Sequence, residues 1–348
     1  MRLNGCMAVS LMILLALTLP ILGLTASQAA ELEKKVVIYS THGESMLELV
    51  ADAFEKETGV AVDFINLKGE LADRVRAEKA NPQSDVMYGA PSSVFLELKA
   101  EDLFTPFTPT WADDINPLFK DAEGYWVGTI QTPVLMFYNS DMISMENAPK
   151  DWSDLADPKY KNLLVSRNAL SSSARATYAS LLQQYEKKND LDGGWQFLKA
   201  MDANMKRYYG SGSLQFQAVG RKEAAISFAV LNSIVDNQIN NQMPLQPINA
   251  QSGSPVITDG IALIKGAKHP NAGKAFIEFA GSPKIQSLLA NEFNRLPTHP
   301  AAIADAPKWM SEIQFKVMEV DWGALSGKQS EWMQKWDAQI KDSGKDSK

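Results

Sequence analysis

"KVVIYSTHGESMLELVADAFEKETGVAVDFINL", residues 35–67, decides the fold. The apolar, β-branched run that ends at Ser40 reads as a short buried strand. Met46, Leu47, Val50, Ala51 and Phe54 then share one helical face, and Gly59 suits the position just past a last helical turn. "VAVDFINL" reads as a second strand. The pattern continues with a helix in "ELADRVRAEKA", a strand in "SDVMYG" and a helix in "SSVFLELKAEDLF". Strand and helix alternating at such short spacing predict a mostly parallel sheet with helices on its faces. Ligands of such sheets sit beyond the carboxyl ends of the strands. Those ends fall at Ser40-Thr41-His42, around Asn66 to Gly69, and at Gly89-Ala90-Pro91.

Further along, the β-branched and aromatic segment Thr129 to Tyr138 reads as a strand, and a domain boundary is expected near residue 138. Helical patterns follow at Thr177–Lys188, Gly194–Asp202 and Ser213–Gly220. "AAISFAVLN" reads as a buried strand, and the proline-punctuated "NQINNQMPLQPINAQSGSPV" as mostly loop. The strand Ile257–Ile264 is placed to rejoin the first sheet. Two helices break at Gly281-Ser282-Pro283, and the last forty residues read as helical with Trp309, Trp322, Trp332 and Trp336. The tail "KDSGKDSK" is expected to lack structure. Two α/β lobes joined by crossing strands account for this order better than two separate beads.

Composition narrows the function. The 348 residues carry a net charge of −7 and no basic cluster, which argues against nucleic acid and anionic membrane as partners. The first residues have a separate logic. Arg2 precedes the apolar run Met7 to Leu24, and "TASQAAE" offers Ser27 and Ala29 at the positions that signal peptidase reads. Residues 1–29 are therefore expected to be a cleaved export signal, leaving a periplasmic protein. Losing Arg2 takes the net charge to −8. The single cysteine, Cys6, precedes the apolar run, so a lipoprotein box is not expected. The mature chain would have no thiol chemistry and no disulfide.

Catalytic signatures are missing: no G-x-S-x-G, Walker loop, G-x-G-x-x-G or H-E-x-x-H is present. His269 and His299 each precede a proline in polar sequence and read as surface residues. His42, just past the first strand, reads equally well as ligand-facing or as ordinary loop. No enzyme activity and no cofactor is expected.

The most suggestive chemistry is a hydroxyl surplus. Ser171, Ser172 and Ser173 stand together where "ARATYASLLQQY" begins a helix. The first-turn amides of a helix have no intrahelical partner, and the dipole makes this end a binding place for phosphate or carboxylate. Alone, the run reads more simply as one capping serine with two facing water. A second such loop, "YYGSGSLQ", with Ser211, Gly212 and Ser213 before another helix, shifts the balance toward a convergent set of neutral donors.

Several stretches together resemble the type 1 extracellular solute-binding proteins, in their ferric-ion-binding branch. "APKDWSDLADPKYKNLLVS" is similar to the family's P-x-x-W-x-D-L-x-D-P-K-Y-K stretch. "QAVGRKEAAISF" and the block "ITDGIALIKGAKHPNAGKAFIEFAGSPKIQSLLANEFNRLPTHP" resemble its later ones. The resemblance spans nearly all of residues 35–305. It implies a bilobal type II periplasmic binding fold, each lobe a mixed sheet flanked by helices, with hinge strands near 134–139 and 254–260. Lobe 1 would comprise 30–138 plus 257–307, and lobe 2 139–256 plus 308–348. It also implies a monomer that hands a small-molecule solute to the permease of an ABC importer.

The family's iron chemistry does not carry over. Asn232 and Ser233 stand where its paired tyrosines belong, and Ala90 where its glutamate belongs. Fe³⁺ wants several anionic oxygens, which these residues do not supply. The Tyr208-Tyr209 pair reads as core or helix-end packing. The anion subsite does carry over, through Ser172, Ser173 and Ala174, with "GSGS" as a second donor loop. The resemblance therefore implies an organic anion such as a sugar phosphate or aminoalkylphosphonate. Arg175 would add a charged bond or face solvent. Ser40, Thr41, His42, Thr132, Asn232, Asp236 and Asp259 are expected around the rest of the solute, although a turn aspartate is an equally ordinary reading of Asp259. Rival readings are a ferric-iron binder with unfamiliar ligands, a binder of a cationic polyamine or thiamine, and a secreted hydrolase.

Overall fold

The computed structural model describes residues 32–67 and 70–347; the expected export signal lies outside the described residues. The chain begins β1 (Lys35–Ser40), α1 (Glu44–Thr58), β2 (Ala61–Asn66), α2 (Leu71–Ala77), β3 (Val86–Pro91) and α3 (Ser92–Ala100). After β4 (Phe104–Thr105) it enters the long strand β5 (Val127–Asn139). Then come β6 (Leu164–Arg167), α4 (Ser172–Glu186), α5 (Leu191–Asn204), β7 (Met205–Tyr209) and α6 (Gly212–Gly220). β8 (Ile226–Val230), α7 (Leu231–Ile239), β9 (Leu245–Ile248) and β10 (Val256–Ile264) follow. The chain closes with α8 (Pro270–Ala280), α9 (Pro283–Phe293), β11 (Leu296–Pro297), α10 (Trp309–Glu312) and α11 (Trp322–Lys335).

β5 organises the molecule. Its first half, through Pro133, pairs antiparallel with β10, which in turn pairs with β3, beside the parallel strands β1 and β2. From Val134 onward it pairs antiparallel with β8 and β9, and β6 and β7 extend that second sheet in parallel. One strand thus serves two mixed sheets, and its change of partner falls at Pro133–Val134, where proline offers no amide to a ladder. The result is two lobes.

Each sheet carries its own apolar cluster. Val36, Phe54, Val86, Ile261 and Phe276 belong to the first. Met136, Trp152, Tyr178, Phe228 and Trp336 belong to the second. Of the C-terminal tryptophans, Trp332 and Trp336 are therefore core of the second lobe. Trp336 is fully buried and stacks on Tyr178 at 4.6 Å between ring centres. Truncating a side chain of that size and burial costs roughly 3–5 kcal/mol.

Three local expectations need correction. "AAISFAVLN" does not run on as strand: the chain turns helical at Leu231, because Val230 ends the ladder and the apolar spacing of Leu231, Ile234 and Val235 is helical. Of the two packing readings of Tyr208-Tyr209, the helix end falls away and the core stands: Met205 to Tyr209 is a strand, and Tyr208 is buried with its hydroxyl donating to Asp202 at 2.7 Å. The tail is held in place: Lys345 pairs with Asp202 at 3.0 Å, and the Ser347 amide donates to the Tyr208 carbonyl at 2.8 Å.

Candidate functional site: a cationic cleft between the lobes

The carboxyl ends of the strands in both sheets open onto one cleft of about 920 Å³. Its first-lobe wall carries Thr41 after β1, Ala90 to Val94 across the β3–α3 junction, Asp259 on β10, and Arg295 before β11. The second lobe supplies Arg167 at the end of β6, Leu170 to Ser173, Arg175, Val230 and Asn232. Thr132 and Ile257 lie where the lobes meet, and Trp322 and Gln329 of α11 line the outer side.

Three helices point their first turns here: α3, α4 and α7. None of the three has a side-chain cap. Pro91 and Val230 have no capping oxygen to offer. Ser171 spends its hydroxyl on Ser173, 3.1 Å away, rather than on the helix amides. One serine capping α4 is therefore not what the run does. The first-turn amides of each helix remain without intrahelical partners and carry the positive end of the dipole.

Charge reinforces the amides. Arg167, Arg175 and Arg295 all line the cleft, and none forms a salt bridge with a described residue. Arg167 is fixed by donating from Nη2 to the Gly210 carbonyl at 2.8 Å, and Arg175 by donating from Nε to the Ala169 carbonyl at 3.1 Å. The Nε atoms of Arg167 and Arg295 are buried and have no partner among the described residues. Burial lowers the Arg167 pKa, a sign that its charge is being held in poor solvent. Two carboxylates share the cleft. Glu97 is engaged with Arg76 at 3.2 Å. Asp259 is pushed up to about 6 by loss of water, with the nearby charge of Arg295 pulling the other way.

Behind the first-lobe wall the polar residues build the loop. Ser40 is buried and donates to the Tyr88 carbonyl at 2.5 Å, while accepting from the His42 amide at 3.0 Å. His42 is buried edge-on to Tyr88, 4.7 Å between ring centres. Burial, then the charge of Arg295, drives its pKa down to about 3, so the ring is neutral. Gly89 is required beside it: φ is +95°, and a Cβ would lie 2.8 Å from His42 Nε2. Ala90, with φ +79°, continues the left-handed turn that aims α3 into the cleft. A non-glycine residue held there stores strain of the kind found at ligand sites.

Of the residues singled out from sequence, Ser172, Ser173, Arg175, Thr41, Thr132, Asn232 and Asp259 line the cleft. Ala174 faces the core of the second lobe, with its amide in the first turn of α4. Ser40 and His42 lie behind the wall, not on it. Ser211, Gly212 and Ser213 do not line the cleft. Their loop packs behind Arg167, where a Cβ on Gly212 would sit 3.3 Å from Arg167 Nη1. Asp236 is on the second turn of α7 and accepts from Asn240 at 2.6 Å, away from the cleft. His299 is buried rather than on the surface, and His269 bonds to Asp85 at 2.8 Å. Sequence reasoning missed Arg167, Arg295, Ser92, Ser93, Glu97, Trp322 and Gln329. Arg167 had a signal: it is a cation at the carboxyl end of a strand, just before the serine run.

Two lobes joined by a shared strand, with an open polar cleft between them, define a protein that captures a solute. Residues 81–322 match the bacterial extracellular solute-binding protein family, and the chain belongs to that family. A Sinorhizobium fredii chain named as a probable ABC transporter periplasmic-binding protein is 30% identical over 88% of this chain and 86% of its own. The Fe(3+)-binding periplasmic protein of Serratia marcescens is 26% identical, covering 76% of this chain and 78% of its own. Among solved structures, the apo ferric ion-binding protein A of Pasteurella haemolytica superposes with a TM-score of 0.77 at 19% identity, over 89% of this chain and 99% of that one. AfuA of Actinobacillus pleuropneumoniae, with fructose 6-phosphate bound, superposes with a TM-score of 0.69 at 24% identity, over 88% and 99%. The chain is the solute-binding component of an ABC importer. Its work is binding rather than catalysis, and its partners are a small-molecule solute and a membrane permease.

Proposed function

We propose that this protein captures an organic anion bearing a phosphate or phosphonate group, in the periplasm, after loss of residues 1–29. The observation that carries the reading is the gathering of three arginines outside any salt bridge among the described residues and three uncapped helix starts in one cleft of an acidic protein. Each element suits phosphate: guanidinium groups bind it with charge-assisted pairs, and first-turn amides donate without adding competing charge. The α4 start with Arg167 and Arg175 is the anchor for the anionic group. Thr41, Thr132, Asn232, Asp259 and Arg295 face the remainder. A hard trivalent cation is poorly matched to this set, because the lining residues bring three positive charges and no phenolate.

Capture proceeds by closure of lobe 1 (30–138 plus 257–307) onto lobe 2 (139–256 plus 308–348) about the β5 and β10 crossings. Closure joins the two anion-facing walls and presents a single surface to the permease. Native mass spectrometry of protein taken from periplasm without unfolding tests the reading. The expected adduct is an organic phosphate or phosphonate, lost in Arg167→Gln. An adduct of iron with a small anion would overturn it.

A further inference from the structure

The C-terminal helix α11 is the third wall of the cleft, and it belongs to neither set of strand ends. Trp322 and Gln329 both line the cavity, and their seven-residue spacing places them two turns apart on one helical face. The Gln329 amide makes no hydrogen bond to another described residue. Indole and primary amide are uncharged, unlike the groups opposite. They suit the part of a solute that carries no charge.

The attachments of α11 are unequal. On the second-lobe side, Gln183 Nε2 donates to the Asp321 carbonyl at 2.8 Å, and the Asp321 amide donates back to Gln183 Oε1 at 2.9 Å. Gln184 and Lys187 both donate to the Glu319 carbonyl, at 3.0 and 2.9 Å, and Lys328 pairs with Glu186 at 2.7 Å. Just upstream, the chain pairs with Ser254: the Met318 amide donates to the Ser254 carbonyl at 2.8 Å. That approach needs Gly253, where φ is +95° and a Cβ would lie 2.7 Å from the Met318 nitrogen. On the first-lobe side, no hydrogen bond or salt bridge joins α11 to α3 among the described residues. The two helices pack side by side, with Leu96 Cδ1 3.6 Å from where a Cβ on Gly323 would be, but Leu325, Trp332 and Met333 of α11 are buried in the apolar cluster of the second lobe. With no hydrogen bond, ion pair or shared core among the described residues to break, the α3 contact is the one that parts.

We infer that α11 travels with the second lobe and swings Trp322 and Gln329 over the solute on closure, reading a neutral, hydroxylated carbon skeleton beyond the anchored phosphate. This rests on the anion reading above. The indole covers C–H faces, the Gln329 amide bonds hydroxyls in either sense, and Glu97 on α3 accepts from another. The solute class is thus a phosphate ester of a polyol or sugar.

Calorimetric titration of wild type, Arg167→Gln, Trp322→Ala, Trp322→Phe and Gln329→Ala tests it, with inorganic phosphate, 2-aminoethylphosphonate and fructose 6-phosphate as probes. In wild type, fructose 6-phosphate is expected to bind tightest. The ratio of its affinity to that of inorganic phosphate should fall about tenfold in Trp322→Ala and Gln329→Ala, the usual size for one lost reading contact. Trp322→Phe should retain most of the ratio. An unchanged ratio in Gln329→Ala and in both Trp322 variants, or a wild type that favours inorganic phosphate or 2-aminoethylphosphonate, overturns the inference about α11. Arg167→Gln reports separately: if it leaves all three affinities intact, the anion reading itself fails.

Discussion

The two faces of the cleft are built on opposite principles. The second-lobe face offers Arg167, Arg175, the hydroxyls of Ser171 to Ser173 and Asn232, with no carboxylate among its lining residues. Every group there can donate, so the face accepts an anion with little regard to what the anion is attached to. The first-lobe face sets Arg295 against Asp259 and Glu97, and places a neutral histidine behind them. A face with both signs rewards only a solute that matches both. Capture and discrimination are thereby divided between lobes, and closure makes the second depend on the first.

The sharpest way to break this contrast is Arg167→Gln. It removes a half-buried charge from the capturing face, for an expected loss of about 2–4 kcal/mol, or roughly 30- to 1,000-fold in affinity for every phosphate-bearing solute. A loss confined to one solute would move discrimination onto the second lobe.

The next largest effect concerns the neutral ring behind the first-lobe face. The folded pKa of His42 is depressed to about 3 from an ordinary value of 6.5. Its contribution to stability is complete above 6.5 and is lost as pH falls, because the unfolded chain takes the proton first. At pH 5 the loss is on the order of 2 kcal/mol. Asp259 titrates with the opposite sign in the same window, so the test uses Asp259→Asn as background: its thermal unfolding from pH 7.5 to 5 should show the loss, and adding His42→Leu should flatten the slope. A flat profile in the Asp259→Asn background would mean that the ring is hydrated and that Arg295 has a second cation beside it. Arg295→Gln should cost less, about 1.4 kcal/mol or tenfold, and unequally among solutes, since it belongs to the discriminating face.

How much of this was legible in the sequence differs between the same two faces. The opening βαβ pattern is plain, since Val36, Ile38, Met46, Val50 and Phe54 announce strand and helix by spacing alone. The capturing face was half visible: three serines at a helix start advertise donors, but nothing local says that Ser171 bonds Ser173 instead of capping. The "GSGS" loop shows hydroxyls in sequence but not their direction; the fold sets it behind Arg167, which it holds on the Gly210 carbonyl. The discriminating face was nearly illegible. Asp259 and Arg295 meet only because β10 returns to the first sheet and the chain passes beside β5 at β11. Trp322 and Gln329 carry no local signal, since their common destination depends on where α11 is pinned.

The smallest expected effect is the most informative about Asp259. Folding raises its carboxyl from 3.8 to about 6. An acid raised in this way favours the folded state fully below its unfolded value. That contribution is lost as pH rises through 6, because the ionised form is the one the cleft solvates poorly. Asp259→Asn should therefore raise the melting temperature by a few degrees above pH 6.5 and leave it unchanged near pH 4. Binding adds a second reading. An anionic group brought close to Asp259 raises its pKa further, so wild type should take up a fraction of a proton on binding between pH 6 and 7. Calorimetry in buffers of different ionisation enthalpy measures that uptake, and Asp259→Asn should abolish it. If wild type instead releases a proton, the carboxylate is meeting a donor. The first-lobe face would then hold the hydroxyl or ammonium end of the solute, with the phosphate wholly on the other side.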